Sequence, residues 1–460
     1  MTAKKRRLLE DCRLALTGAL LMGFLWHMRG RGGFGGMLGM LAVALGMLLF
    51  AASLTKGQSR GRATLPWLFA GAALTAVTAG GWGTVNAQMT GVLDTAADGT
   101  MTFTPPLSGA AMMLALGFSW MPFFGLALGY LWSGREWRVK NALALTALYP
   151  VVELLCKASL GHGLVALVSP ASAALFREGL ARAGQAGLSA WGAYMQHFNH
   201  AAWAEDIAGG RNYFYSVEIL SRVLAAAALL LFTRFVLKDK KAAQTGLLIS
   251  CFAALGITAA DLFLFFGRGG YHYESPAPQW LQSNAWELWE YGTGFFIGLG
   301  VGLLAVCARK NAAPATATAP EPGQKIRRSA FCFYGLTAAA FAYLLCQSQL
   351  DWWEQPVPLR TALLGWALIA AFLALLLFLP LLLWNKHRRG LLAPGGLPGA
   401  AGWILPSFAA ALFGLYVLYE LPAGGYAPSH WVMLLTALLL AAAQAPCWIK
   451  LRKPSKKGVK

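Results

Sequence analysis

The chain alternates between long apolar blocks and short polar joints. About 20 consecutive apolar residues span a bilayer as an α-helix, and most of the blocks are near that length. The pattern predicts an all-α polytopic membrane protein with about twelve transmembrane helices, near residues 12–28, 34–55, 64–82, 107–132, 141–160, 214–237, 242–266, 284–308, 329–347, 360–384, 402–421 and 429–449.

Basic residues concentrate in every second joint. Most of the 38 lysines and arginines lie in seven joints: Lys4–Arg7, Lys56–Arg62, Arg135–Lys140, Lys238–Lys241, Arg309–Arg328, Lys386–Arg389 and Lys450–Lys460. Loops rich in Lys and Arg stay on the cytoplasmic side of a membrane. The sequence therefore predicts a multi-pass protein of the cytoplasmic (inner) membrane whose N- and C-termini are both cytoplasmic.

Composition excludes an ordinary soluble globule. The chain is 57% hydrophobic and 12% charged, with a mean hydropathy of +0.53, whereas about a quarter of the residues of a soluble domain are charged. The net charge of +19 is explained by joints that orient helices against the lipid bilayer, so we expect no nucleic-acid partner. The seven cysteines form no CxxC pair, which argues against a disulfide framework or a zinc site, and we expect no cofactor.

Two joints on the predicted outer side are long, 83–106 and 161–213. The second contains an amphipathic stretch around 171–190, which favours a helix at the membrane interface. On the cytoplasmic side, residues 311–323 are rich in Ala, Thr and Pro, so we interpret 309–328 as a flexible linker.

Two short motifs recur six predicted helices apart. The joint Gly30–Phe34 reads GRGGF, and Gly267–Tyr271 reads GRGGY. In the same way, the block at 141–160 contains LYPVVEL and the block at 402–421 contains LYVLYEL. These matches predict a duplication into two parallel six-helix halves, 1–241 and 242–460, an arrangement similar in architecture to that of major facilitator transporters. Chance is the alternative, because the chain has 52 glycines.

The two Arg-Gly-Gly joints form the predicted substrate site. Glycines expose backbone N–H groups, a following helix N-terminus adds partial positive charge, and arginine offers a planar fork for carboxylate or phosphate. We expect the site to include Arg31, Gly32, Gly33, Arg268, Gly269 and Gly270, with Trp286 lining the path. The alternative is that these joints reverse the chain and anchor it to lipid phosphates.

Ionisable residues inside a bilayer are functional candidates because they are costly to bury. Asp261, Glu287 and Glu290 have no basic residue at helical spacing, so we expect them to couple a proton or a cation, unless Arg31 or Arg268 pairs with them. By contrast, Glu153 with Lys157 and Glu218 with Arg222 have the i,i+4 spacing of structural intramembrane pairs, and we assign them that role.

Two weaker patterns complete the set of candidates. His197 and His200, followed by Glu205 and Asp206, could supply metal ligands, but without a stronger motif we expect no metal. Several of the 18 tryptophans, including Trp26, Trp120 and Trp289, lie near the polar side, where we expect them chiefly at the membrane interface.

Together these features favour a secondary transporter for an anionic or sugar-like small molecule, coupled to protons or cations. The first alternative is a membrane transferase acting on a lipid-linked or glycan substrate at the outer face. The second is a noncatalytic membrane assembly component. No catalytic residue is assigned.

Overall fold

The computed structural model describes residues 2–31, 37–54, 91–95, 101–133, 139–184, 209–268 and 278–310, with isolated positions between 68 and 78 and at 135, 137 and 187. This part of the chain is predominantly helical. Its helices are α1 (Ala3–Arg31), α2 (Met37–Leu54), α3 (Pro106–Trp120), α4 (Pro122–Ser133), α5 (Val139–Ala158), α6 (Leu160–Val168), α7 (Pro170–Arg182), α8 (Gly210–Leu231), α9 (Lys240–Arg268) and α10 (Gln279–Lys310). The predicted linker at 311–323 and the four helices predicted after it lie outside the described residues.

Three of the described helical segments are long and apolar enough to cross a membrane: Asn212–Val236, Lys240–Gly267 and Gln279–Lys310. The number rises to five if two bent pairs, α3 with α4 and α5 with α6, each count as one span. These segments expose large apolar side chains, among them Phe235, Leu255 and Phe296. Water would penalise such exposure, whereas lipid would not. The described chain thus has the properties of a membrane protein.

The predicted helix at 107–132 is bent by 45° between α3 and α4. Met121 at the break precedes Pro122, and a residue before proline is disfavoured in the helical conformation. The predicted helix at 141–160 is likewise followed, after Ser159, by α6 at an angle of 68°. Apolar composition continues through both breaks, which is why the hydrophobic pattern alone does not reveal them.

The joint predicted at 161–213 begins with helical structure. It contains α6 and then α7, which starts at Pro170 and buries Leu175, Phe176 and Leu180 on one face. Helix α7 confirms the predicted amphipathic helix over its first part, although it ends at Arg182.

A small hairpin departs from the all-α prediction. Strands β1 (Val92–Thr95) and β2 (Met101–Phe103) pair antiparallel, with Val92 opposite Phe103 and a bulge between Val92 and Asp94. The Asn212 side chain at the start of α8 donates to the Leu93 carbonyl, so the hairpin is fixed to a helix end. The joint at 83–106 therefore contains ordered backbone pairing that its composition did not indicate.

The described residues form two compact units. One draws on residues within 1–77, 126–139 and from 298 onward. In this unit α1 and α10 approach through glycine: a Cβ built on Gly298 would lie 2.6 Å from the Met22 Cβ, and one built on Gly302 would lie 2.8 Å from the Ala15 carbonyl oxygen. Small residues permit such close backbone contact in membranes. Gly298 and Gly302 of α10 thus serve helix packing.

The other unit draws on residues within 78–125 and 140–297. Helix α9 runs antiparallel to α3 and the start of α4. A Cβ on Gly117 would lie 2.7 Å from the Ala254 Cα, and a Cβ on Gly125 would lie 2.7 Å from the Gly246 Cα. This unit contains most of the predicted charged candidates. The proposed sequence halves, 1–241 and 242–460, stay a prediction, because much of the second half lies outside the described residues.

Candidate functional site

Helices α9 and α10 pack antiparallel along their lengths in the second unit. A Cβ on Gly267 would meet the Ala285 Cβ at 2.5 Å, and a Cβ on Gly256 would meet the Phe296 Cβ at 3.0 Å. Between these two levels, Gly292 faces Ala260. The two backbones therefore approach closely at three levels of this interface.

Asp261 lies on this interface, one residue after Ala260, and its side chain is completely buried. The Trp289 indole of α10 lies close to the carboxylate. Even so, neither carboxylate oxygen makes a hydrogen bond of normal geometry with a described residue. A buried charge without such bonds is strongly disfavoured. In these surroundings, Asp261 requires a proton, a bound cation or a countercharge.

Helix α10 presents further polar groups around the same level. Glu290 is 2% exposed, and Thr293, three residues later, is completely buried. The Thr293 hydroxyl has no hydrogen-bond partner among the described residues. Since residues three apart share a helix face, Glu290 and Thr293 line one side of α10. We call the set of Asp261, Trp289, Glu290 and Thr293 the α9–α10 acid site.

Two other predicted residues lie close by in sequence but are less buried. Glu287 and Trp286 are both half-buried. The Trp286 ring lies 5.1 Å from the Trp289 ring, centroid to centroid. The i,i+3 spacing of Glu287 and Glu290 therefore does not give two equivalent acids, because only Glu290 is removed from solvent.

A second polar cluster joins α5 to α8. Both predicted pairs are present: Lys157 Nζ lies 2.7 Å from Glu153 Oε1, and Arg222 pairs with Glu218. The two pairs are linked to each other, since Arg222 Nε donates to Glu153 Oε1 at 3.1 Å. The four side chains are only 12–14% exposed. Two acids and two bases thus form one nearly buried, electrically balanced network.

Two participants in this network carry no charge. Arg222 Nη1 also donates to the Thr78 carbonyl oxygen at 3.5 Å, which ties a third chain segment to the network. Tyr149, one turn before Glu153, is buried within the electrostatic field of Arg222, Glu153 and Glu218. Sequence reasoning missed Tyr149, although the spacing of residues 149, 153 and 157 on one helix face could have identified it.

The structure gives only the helix ends of the predicted anion site. Helix α1 is described as far as Arg31 and α9 as far as Arg268. The side chains of both arginines, together with Gly32, Gly33, Gly269 and Gly270, lie outside the described residues. The site stays a prediction, as does any pairing of these arginines with the buried acids.

Of the remaining candidates, the histidine and acid cluster is not described by the structure, whereas three of the tryptophans are. His197, His200, Glu205 and Asp206 lie outside the described residues, and within the described part no group of three or more His, Cys, Asp or Glu side chains could hold a metal ion. Trp26, Trp120 and Trp289 are completely buried in the protein. These three side chains therefore pack inside the protein, and their depth in the membrane stays a prediction.

Comparison with known proteins does not assign the chain to a family. No family model matches the sequence, and neither the curated proteins nor the solved structures include a match. Any functional assignment consequently depends on the chemistry of the α9–α10 acid site and the α5–α8 network.

Proposed function

We propose that this chain is a secondary transporter for an anionic or sugar-like small molecule, in which the α9–α10 acid site binds the coupling proton or cation. The observation that carries the proposal is the fully buried Asp261 on a helix long enough to cross a membrane. A transporter must bind and release its coupling ion within the bilayer, and a carboxylate that lacks a normal hydrogen bond suits that exchange.

The proposal includes the finer architecture expected from the sequence. It comprises about twelve helices in two parallel six-helix halves, in the inner membrane, with both termini cytoplasmic. The recurrence of Arg-Gly-Gly after Gly30 and after Gly267 supports the repeat. In this scheme the two Arg-Gly-Gly joints hold the anionic group of the cargo, and Glu290 and Glu287 assist Asp261.

The first experiment finds the cargo. Purified protein is tested for thermal stabilisation by sugars, sugar acids, organic phosphates and lipid-linked glycans, with an Arg31→Gln/Arg268→Gln variant alongside. A ligand present at a hundred times its Kd stabilises a protein by about 2.7 kcal/mol. A soluble anion that stabilises the wild type but not the variant would support the proposal. If no soluble compound in the panel stabilised the wild type, the transporter proposal would fail.

The second experiment tests coupling in proteoliposomes loaded with the cargo so identified. Asp261→Asn should keep exchange of internal for external cargo and lose accumulation driven by a pH or cation gradient. Asp239→Asn is the matched control: Asp239 is also buried and lies at the start of the same helix, where it accepts from the Ala242 N–H at 3.0 Å. Asparagine can keep that cap. Gradient-driven accumulation by Asp261→Asn at the wild-type level would exclude Asp261 from coupling.

One observation favours the transferase alternative. An apolar groove of about 440 Å³ lies between α3, α8 and α9, lined by Leu114, Ala115, Phe118, Val223, Cys251, Ala254 and Leu255. Such a groove could accept the hydrocarbon chain of a lipid-linked substrate. Stabilisation by lipid-linked glycans alone, without any soluble compound, would favour the transferase.

A further inference from the structure

Three unsatisfied polar atoms lie along a single helix interface. They are the Tyr149 hydroxyl on α5, the His162 Nε2 on α6 and the Ser221 hydroxyl on α8. Each atom is buried and makes no hydrogen bond of normal geometry with a described residue. Buried polar atoms are nearly always hydrogen-bonded, to ordered water where protein offers no partner. Three such atoms on one interface indicate that water accompanies them.

Two contacts give the direction of α8 relative to α5 and α6. Glu153 pairs with Arg222, and His162 Nδ1 lies 2.9 Å from the Tyr213 hydroxyl, so residue numbers fall along α8 as they rise along α5 and α6. Tyr213 and Arg222 are nine residues apart on α8, which corresponds to about 14 Å along a helix. The polar groups therefore extend through roughly half the thickness of a hydrocarbon core.

Charged groups occupy the middle of this interface. Lys157 and Glu218 lie between the His162–Tyr213 contact and the Glu153–Arg222 contact along their helices. An ammonium group has three N–H donors. Within the described part of the chain, the one ion pair of Lys157 is with Glu153. Intramembrane charges are hydrated or paired. The Lys157 ammonium group therefore has N–H donors that can bind water.

The two ends of the interface differ in character. At one end the Tyr213 ring stacks on Phe176 of α7 at 4.2 Å, and α7 exposes Glu178 and Arg182, which are 64% and 69% exposed. Such charges mark an aqueous or headgroup surface. At the other end the Tyr149 ring packs 5.2 Å from Phe123. The interface is thus polar toward α7 and closed by apolar rings beyond Tyr149.

We propose that the interface of α5 and α6 with α8 is a hydrated path that admits water from the membrane surface at α7 to the level of Tyr149. The path comprises His162, Tyr213, Lys157, Glu218, Glu153, Ser221, Arg222 and Tyr149. Its occupant is water, bound by the three unsatisfied atoms and the charged network. The proposal is independent of transport, because it follows from burial and hydrogen bonding alone.

Hydroxyl-radical footprinting of the wild-type protein in lipid nanodiscs tests the path. X-ray pulses generate radicals from water in place, so buried side chains are oxidised only where water lies beside them. Tyr149 and Tyr213 should be oxidised several-fold faster than Trp120 and Phe124, which are buried at least as deeply in the same unit. Because indole is at least as reactive as phenol, the comparison with Trp120 is conservative and decides the test. Equal or slower oxidation of the two tyrosines would overturn the proposal.

A plug variant tests whether the path is continuous. Ser221 is completely buried beside Gly161, between the α7 end and Tyr149. Ser221→Val should reduce oxidation of Tyr149 toward the Trp120 level while leaving Tyr213 oxidised as in the wild type. Unchanged Trp120 oxidation would show that the variant is folded. Undiminished Tyr149 oxidation in this folded variant would contradict a path that enters from α7.

Discussion

Replacing Arg222 by methionine tests whether the α5–α8 network holds the second unit together. Arg222 contacts Glu153 on α5, Glu218 on its own helix and the Thr78 carbonyl. In Arg222→Met, Glu153 keeps Lys157 at 2.7 Å, but Glu218 has lost its ion-pair partner in the described structure. The perturbation thus leaves one nearly buried carboxylate without a countercharge.

The size of the effect follows from burial. Removing one partner of a fully buried ion pair costs about 3–5 kcal/mol. Because the network side chains are 12–14% exposed, we expect the lower end, about 3 kcal/mol. Adding Glu218→Gln to Arg222→Met restores electrical balance and leaves Glu153 paired with Lys157. The double variant should then lose only about 1 kcal/mol, the value of a missing hydrogen bond.

The free energy of unfolding can be measured by titrating the purified protein with SDS in mixed micelles. Arg309→Met is the matched control, since it breaks the Arg309–Glu10 pair, whose side chains are 43% and 44% exposed. Exposed pairs contribute at most about 1 kcal/mol. A stabilising role for the network is excluded if Arg222→Met is no more destabilising than Arg309→Met, or if the double variant is less stable than the single one.

Two further predictions concern helix packing and helix ends, with unfolding measured in the same way. Gly298→Ala should destabilise by about 1–3 kcal/mol because its Cβ would lie 2.6 Å from the Met22 Cβ. Its control, Gly163→Ala, has nothing within 4 Å and should stabilise by about 0.5–1 kcal/mol; equal effects would refute the packing argument. Asp239→Ala should cost about 1 kcal/mol through loss of the cap to the Ala242 N–H, whereas Asp239→Asn should cost little.

The apolar blocks located the described helices well, because the length and apolar content of a segment determine whether it can cross a bilayer. The predicted helix at 242–266 is observed as Lys240–Arg268. The basic segment Lys4–Arg7 nevertheless belongs to α1, which begins at Ala3, well before the predicted helix at 12–28. Charged residues do not end a helix; they end only its apolar part, so the hydrophobic block underestimates helix length.

Contacts between helices were the part that the sequence could not predict. The i,i+4 spacing reveals Glu153–Lys157 and Glu218–Arg222, because both partners lie on one helix. The link from Glu153 to Arg222 joins positions 69 residues apart, and no local pattern encodes it. Similarly, Asp261 was expected to be unpaired within its helix, but its approach to Trp289 depends on how α9 and α10 pack.

The close contact between Gly18 of α1 and Gly298 of α10 sets a sequence of events during synthesis. These glycines are 280 residues apart in the chain, and ribosomes add about 5–20 residues per second. Helix α1 therefore waits roughly 15–55 s before the segment that covers its glycine surface emerges. Throughout that interval Gly18 is covered by Phe50 of α2, and the side of α1 that will meet α10 is open to lipids, to other nascent helices and to any insertion factor. Completion of the first unit is consequently a late, post-insertion event, and a nascent chain truncated before α10 would leave α1 packed on α2 without its α10 contacts.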